Sequence, residues 1–197
     1  MANHMNFARS ELILGGQKSG KSRRAEALAR DWLALSPAHS AVLIATARPG
    51  DGEMRDRITR HQLDRAMRVP GMNTVEEPLA LAESIAQHSD AHTLLVVDCL
   101  TLWLTNWLMP AEPLSEKSDP TNLLVIAAVT RLLNSIGAAR GPVVLVGNEI
   151  GLGVIPLGAE VRAFVDALGT LNQNVAGVCE RVTLMAAGLP LTLKGTG

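Results

Sequence analysis

The chain has 197 residues, of which 19% are charged and 47% hydrophobic, with a formal net charge of −1 and an isoelectric point near 6.5. This length suits one domain with a sizeable core, and the balanced charge argues against nucleic acid or an anionic membrane as partner. Its apolar runs fall short of the ~20 residues that cross a bilayer, and its N-terminal residues lack the apolar segment of a secretory signal. We therefore expect a cytoplasmic protein with a single domain over residues 1–197.

Short apolar segments alternate with longer amphipathic ones along the chain. Strands are predicted at residues 11–14, 41–47, 93–98, 142–147 and 182–187. Helices are predicted at residues 21–35, 53–67, 79–88, 100–108, 121–139 and 159–180. Such alternation predicts an α/β fold of the doubly wound type, in which helices cover both faces of a mostly parallel sheet.

Three features lie outside this alternation. Residues 188–195 alternate apolar and polar side chains and contain Pro190, which predicts a hairpin strand at the edge of the sheet. Residues 109–120 contain three prolines and several charges, which predicts an exposed, mobile loop. Cys99 and Cys179 are far apart and lack partners at metal-binding spacing, so we expect two reduced, mostly buried thiols.

The first predicted strand runs into a complete G-x-x-x-x-G-K-S motif that opens the first helix. Its glycines let successive backbone N–H groups turn towards an anion, Lys21 can reach the β- and γ-phosphates, and the Ser22 hydroxyl can ligate a phosphate-bound Mg²⁺. A glycine-rich turn that binds nothing would not need the Lys-Ser pair at this spacing. The motif predicts a nucleoside triphosphate site formed by Gly15, Gly16, Gln17, Lys18, Ser19, Gly20, Lys21 and Ser22.

Two acidic residues follow predicted strands, where ligands bind in sheets of this type. Asp98 ends the strand at residues 93–98, which is typical of a Walker B acid that holds Mg²⁺ directly or through water. The alternative is an N-cap for the next helix. Glu149 lies in the glycine-containing loop after residues 142–147, where it fits a second metal contact or a base as well as a residue that caps a tight turn.

A histidine lies between two arginines on the helix predicted at residues 53–67. Arg57, His61 and Arg65 are four residues apart and so share one face. Arginines there would orient a polyphosphate, and the lone pair of a neutral imidazole can attack phosphorus to form a phosphoramidate. The same residue types are common on solvated helix faces, and the spacing by itself favours that interpretation.

In chain order, these motifs resemble the bifunctional adenosylcobinamide kinase/adenosylcobinamide-phosphate guanylyltransferase family of cobalamin biosynthesis. The P-loop is shared with many families, but E-M-x-x-R-I-x-x-H at residues 53–61 together with N-E-x-G-x-G-x-x-P at residues 148–156 is specific to this one. Further matches cover nearly the whole chain: Ala45-Thr46-Ala47, Thr74, Glu76-Glu77-Pro78-Leu79, residues 98–106, Asn172-Gln173 and Gly188-Leu189-Pro190.

The resemblance implies a P-loop NTPase fold of the RecA-like kind and two reactions. In the first, ATP or GTP phosphorylates the aminopropanol hydroxyl of adenosylcobinamide, a corrinoid. In the second, GMP is transferred from GTP to that phosphate, giving adenosylcobinamide-GDP. The resemblance also implies a homotrimer.

The resemblance assigns individual residues as well. It implies that His61 carries the guanylyl group covalently. It also implies that Lys21 binds the phosphates and that Ser22 and Asp98 hold Mg²⁺. Guanine recognition is expected near Glu76, because a carboxylate accepts hydrogen bonds from the base N1–H and N2–H₂, a donor pair that adenine lacks. Glu77 is the neighbouring choice.

Four positions depart from the family pattern. Lys18 replaces an arginine, which keeps the positive charge but loses the two-pronged hydrogen bonding of a guanidinium group. Ala66 replaces a proline. Met72 or Asn73 takes the place of a tryptophan, and Val165 that of an arginine. These changes predict a base pocket of altered shape and are compatible with a reduced activity or a changed nucleotide preference.

Two other functions fit a P-loop in a chain of this size. A different small-molecule kinase would transfer only the γ-phosphoryl group and would never hold nucleotide covalently. A RecA-like switch protein would hydrolyse nucleotide slowly and move a partner, for which we expect a long interaction surface or an extra domain.

Overall fold

The computed structural model describes residues 7–48, 67–109 and 120–195. Strands in these ranges are β1 (Ser10–Gly15), β2 (Ser40–Ala45), β3 (Met72–Glu76), β4 (Thr93–Asp98), β5 (Val143–Val146), β6 (Arg181–Ala186) and β7 (Leu189–Lys194). Helices in these ranges are α1 (Lys21–Leu35), α2 (Leu81–His88), α3 (Leu100–Leu108), α4 (Pro120–Ala138) and α5 (Ala159–Val178). All of these strands belong to one sheet.

The sheet has seven strands in the order β3-β2-β4-β5-β1-β6-β7. Neighbouring strands are parallel except β6 and β7, which pair antiparallel. The last residues of β2 and β4 are register partners, Ala45 with Asp98, and Asp98 is in turn the partner of Val146 in β5. The carboxyl ends of the parallel strands therefore meet at one edge of the sheet, where the P-loop also begins.

Both faces of the sheet are covered, which is why its central strands consist of unbroken apolar runs. In β4, the four residues 94–97 are each at most 1% exposed. One face packs against α2, α3, α4 and α5 around Trp103 and Leu132, and the other packs against Ala25 and Ala29 of α1. Trp103 is 1% exposed and donates its indole N–H to the carbonyl of Leu79 at 2.9 Å. The α/β fold with helices on both faces is thus confirmed.

The C-terminal hairpin is confirmed as well. β6 and β7 are joined by Ala187 and Gly188, whose φ angles of 51° and 82° are those of a tight hairpin turn. β7 forms the edge of the sheet, and Lys194 donates hydrogen bonds to the carbonyls of Ala176 and Gly177 at the end of α5.

The strand β3 was not predicted from the sequence. β3 lies at the opposite edge, and its five residues are half-buried or exposed, so it lacks the apolar run by which the other strands were recognised. α2 begins two residues later than predicted, at Leu81, and α5 ends two residues earlier, at Val178. The helix predicted at residues 53–67 and the loop at residues 109–120 lie almost entirely outside the described residues.

In the part of the chain that the structure describes, no helix combines the length and the apolar character needed to span a bilayer. Cys99 and Cys179 are both buried free thiols, as expected. Burial raises the pKa of Cys99 to about 11 and that of Cys179 to about 12, so both are protonated at neutral pH.

Candidate active site

The P-loop connects the end of β1 with the first turn of α1. Gly15, Lys18 and Gly20 have φ angles of 152°, 57° and 103°, as in loops whose N–H groups turn towards an anion. A Cβ atom on Gly15 would lie 2.5 Å from the carbonyl oxygen of Met185 and 2.6 Å from Oγ of Ser19, so only glycine fits there. Hydrogen bonds from the N–H of Ser19 to Gly16 O and from the N–H of Gly188 to Ser19 O, at 3.3 and 3.0 Å, hold the loop.

The side chains of the loop differ in exposure. The exposed residues are Gly16, Gln17 and Lys18, whereas Ser19 and Lys21 are buried. Within the protein, the buried Oγ of Ser19 has no hydrogen-bond partner among the described residues. Ser19 therefore contributes a buried hydroxyl to the loop that makes no hydrogen bond with the described residues.

Lys21 reaches back over the loop. It is 8% exposed, and its Nζ donates a hydrogen bond to the carbonyl of Gly16 at 2.6 Å. Burial lowers the pKa of Lys21 from its ordinary value, while the nearby Cys99 and Asp98 act in the opposite direction. Its ammonium group is thus held at the enclosed space and not in bulk solvent.

Ser22 and Asp98 meet at the start of α1, although 76 residues separate them in sequence. The Ser22 hydroxyl donates a hydrogen bond to Asp98 Oδ2 at 3.1 Å. Asp98 does not cap α3, because the N-cap of that helix is Cys99 and no side chain caps it. A hydroxyl and a carboxylate oxygen side by side are ligands that Mg²⁺ prefers, so these residues fit that ion.

Glu149 lies next to the P-loop and is half-buried. Its N–H donates to the carbonyl of Gly15 at 3.1 Å, and its Oε1 accepts from the N–H of Gly151 at 2.8 Å. Two hydrogen bonds hold the preceding residue, Asn148. Its N–H donates to Thr101 Oγ1 at 2.9 Å, and its carbonyl accepts from the side-chain amide of Asn172 at 3.0 Å. Glu149 therefore caps a turn, as the simpler interpretation predicts, at a place that also adjoins the phosphate loop.

The two adjacent glutamates at the end of β3, Glu76 and Glu77, have different surroundings. Glu77 Oε1 accepts hydrogen bonds from the N–H groups of Leu79 and Ala80, at 2.9 and 2.8 Å, which explains why α2 begins only at Leu81. Glu76 is the last residue of β3, pairs with Ala45, and is exposed. The carboxylate of Glu77 thus binds the backbone of the turn that leads to α2, and Glu76 lies in an exposed position at the end of β3.

The proposed covalent carrier is not part of this geometry. Arg57, His61 and Arg65 lie outside the described residues, so their arrangement stays a prediction. The residues that the structure brings together at one edge are the P-loop, Asp98 and Glu149, with Glu76 at the end of β3.

Two residues that sequence reasoning gave no role lie at the same edge. Thr46 follows β2 and is fully buried, and Asn106, on α3, is 9% exposed. Both residues belong to segments that match the family pattern, Ala45-Thr46-Ala47 and residues 98–106, and that match is the signal by which the sequence could have found them.

Comparison with known proteins gives consistent matches over nearly the whole chain. Residues 11–193 match a family model described as cobinamide kinase / cobinamide phosphate guanyltransferase. The bifunctional adenosylcobalamin biosynthesis protein CobP of Pseudomonas aeruginosa is 48% identical over 186 residues, covering 94% of this chain and 97% of that relative. The bifunctional adenosylcobalamin biosynthesis proteins CobU of Escherichia coli and Salmonella typhimurium are 31% and 32% identical, each over 93% of this chain and 98% of the relative.

Proposed function

Because this chain belongs to the cobinamide kinase / cobinamide phosphate guanyltransferase family, whose members are bifunctional enzymes, we propose that it phosphorylates adenosylcobinamide and then attaches GMP to the product. The phosphoryl donor is ATP or GTP, and the guanylyl donor is GTP. The observation that carries this proposal is the P-loop with the buried Lys21 beside the Ser22–Asp98 pair. These are the groups that hold a nucleoside triphosphate and its Mg²⁺ in P-loop enzymes.

One set of phosphate-binding groups serves both reactions. In the kinase step the corrinoid hydroxyl attacks the γ-phosphorus, and the P-loop amides and Lys21 stabilise the charge that spreads over its oxygens. In the transfer step the bond between the α- and β-phosphates breaks, and the same groups stabilise the departing pyrophosphate. Mg²⁺ held by Ser22 and Asp98 would neutralise part of the phosphate charge in both.

His61 is the proposed carrier of the guanylyl group. A nitrogen of the neutral imidazole forms a bond to the α-phosphorus of GTP as pyrophosphate leaves, and an oxygen of the corrinoid phosphate then displaces the histidine. Arg57 and Arg65, four residues to either side, orient the polyphosphate. The support is the spacing of these residues in a sequence that belongs to this family.

Glu76 and Glu149 complete the proposed site. Glu76 recognises guanine, and the support is its exposed position as the last residue of β3. Glu149, whose N–H is bonded to the P-loop carbonyl of Gly15, acts either at the metal or as a base for the corrinoid hydroxyl. We also propose that the enzyme is a homotrimer and works in the cytoplasm, where both nucleotides are available.

A labelling experiment tests the covalent step. The protein is incubated with α-labelled GTP and Mg²⁺, denatured, and examined for a label that is lost in acid and stable in alkali, as expected for a phosphoramidate. We expect labelling of the wild-type protein and of the matched control His88→Ala, none of His61→Ala, and no comparable adduct from γ-labelled GTP.

Two outcomes would contradict the proposal. A label that survives His61→Ala would remove this histidine from the mechanism. A wild-type protein that phosphorylates its substrate but never becomes labelled would be the other kind of P-loop small-molecule kinase, without a covalent nucleotide.

A further inference from the structure

Thr46 holds the backbone that carries Asp98. Its side chain is 0% exposed, and its N–H donates to the carbonyl of Asp98 at 3.1 Å. Its Oγ1 donates to the carbonyl of Cys99 at 2.7 Å and accepts the N–H of Cys99 at 2.8 Å. These bonds continue the pairing of β2 with β4 beyond its last register pair, so that Asp98 is held where its side chain meets Ser22.

Asn106 joins the same place to the turn after β3. Its side-chain amide donates to the carbonyl of Thr46 at 2.8 Å and to the carbonyl of Pro78 at 3.0 Å. Both hydrogens of the amide are thereby used, one on each segment. One segment continues β2, and the other directly follows Glu76 and Glu77, so a single side chain connects the two.

The burial of these polar groups needs an explanation beyond packing. α3 has the sequence LTLWLTNWL, and Asn106 is buried there alongside Leu100, Trp103 and Leu104. A buried amide or hydroxyl that is fully hydrogen-bonded contributes little net stability, but it defines one arrangement of its partners. The hydrogen bonds of Thr46 and Asn106 therefore define how the segments that they connect are placed.

We propose that Thr46 and Asn106 form a positioning pair, which keeps the Asp98 carboxylate against Ser22 and the turn after Glu76 in one fixed arrangement. This inference rests on the proposed function, because it takes Asp98 as a Mg²⁺ ligand and Glu76 as the guanine contact. Partners that orient a ligand from behind affect metal affinity without touching the metal. A change at either residue should thus weaken Mg²⁺-dependent nucleotide binding and the preference for guanine together.

Equilibrium binding of guanosine 5′-[β,γ-imido]triphosphate to the full chain, titrated with Mg²⁺, tests the pair without requiring turnover. Thr46→Val keeps the shape but removes the hydroxyl, and we expect it to raise the half-saturating Mg²⁺ concentration about tenfold. Thr46→Ser, which restores the hydroxyl, should stay near the wild-type value. The exposed Thr130→Val on α4 is the matched control and should not change the titration.

Asn106 is tested by the competing adenosine analogue. Asn106→Leu removes both hydrogen bonds, and Asn106→Thr leaves a single hydroxyl that can serve only one of the two carbonyls. We expect both variants to reduce the ratio of guanosine to adenosine affinity and to raise the Mg²⁺ requirement, with the smaller effect in Asn106→Thr. Asn134→Leu, at an exposed position of α4, should leave both quantities unchanged.

The melting temperature separates positioning from a purely structural role. Thr46→Val or Asn106→Thr with a lower melting temperature but unchanged Mg²⁺ dependence and base preference would overturn the inference. If Thr46→Val does not fold, the same measurements on Asn106→Thr decide between the two roles. A wild-type protein that binds the analogue but is never labelled by α-labelled GTP contradicts the proposed transfer reaction alone, whereas one that binds no nucleotide contradicts both.

Discussion

At the scale of single residues, the site is built from side chains that are each held by one specific contact. Lys21 donates a hydrogen bond to the carbonyl of Gly16, and Ser22 donates one to Asp98. The carboxylate of Glu149 accepts one from the N–H of Gly151. A triphosphate in the loop would offer Lys21 a better partner than the Gly16 carbonyl, because charged oxygens form stronger hydrogen bonds than neutral ones. The contacts in the structure therefore prepare these side chains for a ligand.

Lys21→Ala should abolish both half-reactions, since each needs a cation beside the same phosphates. We expect a loss of about a hundredfold or more in the rates of phosphorylation and of self-guanylylation, measured separately with labelled nucleotide. Lys194→Ala, which removes a lysine that caps the end of α5, is the control and should retain both rates. Retention of either rate in Lys21→Ala would show that the P-loop does not serve that step.

We expect Ser22→Ala and Asp98→Asn to change the same measured quantity, which is the Mg²⁺ concentration that gives half-maximal activity. We expect each to raise it about tenfold or more, and the double variant to raise it by less than the product of the two. Ser135→Ala and Asp166→Asn provide controls outside the site. Fully multiplicative effects would mean that the two side chains do not share an ion.

At the scale of secondary-structure elements, β3 and the turn after it show how an edge strand contributes to a site. The residues of β3 are only half-buried or exposed, yet its pairing with β2 brings Glu76 to the same edge as Ala45 and Asp98. The next residue, Glu77, orders the start of α2 by accepting two backbone N–H bonds. Glu76 thus ends the strand in an exposed position, and Glu77 binds within the turn that leads to α2.

This difference yields a prediction for neighbouring positions. Glu77→Ala should cost about 1 kcal/mol of unfolding free energy, seen as a fall of about 2–4 °C in melting temperature, because two backbone N–H groups lose their acceptor. Glu76→Ala should lose much of the protein's preference for GTP over ATP in binding. The opposite pattern, with base preference lost only in Glu77→Ala, would move guanine recognition to that residue.

At the scale of the whole molecule, the order of the strands creates the site. β5 lies between β4 and β1, so Asp98, Glu149 and the P-loop follow three adjacent strands and open on the same edge. The segment that follows β5 carries several apolar side chains in exposed positions. Their exposed fractions are 77–98%, at Leu152, Val154, Ile155 and Leu157. An apolar segment of this kind is typical of a surface that contacts another protein.

We expect the protein to be a homotrimer in solution, with a mass of three chains of 20.9 kDa each by light scattering coupled to size-exclusion chromatography. Leu157→Asp should weaken assembly if the exposed segment contributes to it, because a charge at a buried contact is costly. A wild-type protein that elutes as a monomer at all concentrations would contradict the proposed assembly without affecting the proposed chemistry.

The sequence by itself determined the P-loop, α1, the buried parallel strands and the C-terminal hairpin. Each of these depends on residues that are adjacent or that repeat with a fixed period, so the information is local. It also determined the family, since the motifs occur in a specific order along nearly the whole chain.

Only the tertiary structure decided the rest. β3 forms because β2 offers it a partner strand, not because its own residues favour a buried strand. Glu77 accepts two N–H groups of the turn that precedes α2, and Thr46 and Asn106 acquire their role from partners 28 to 60 residues away in sequence. Hydrogen bonds between distant segments leave no periodic trace, because they depend on which segments the fold brings within about 3 Å of one another.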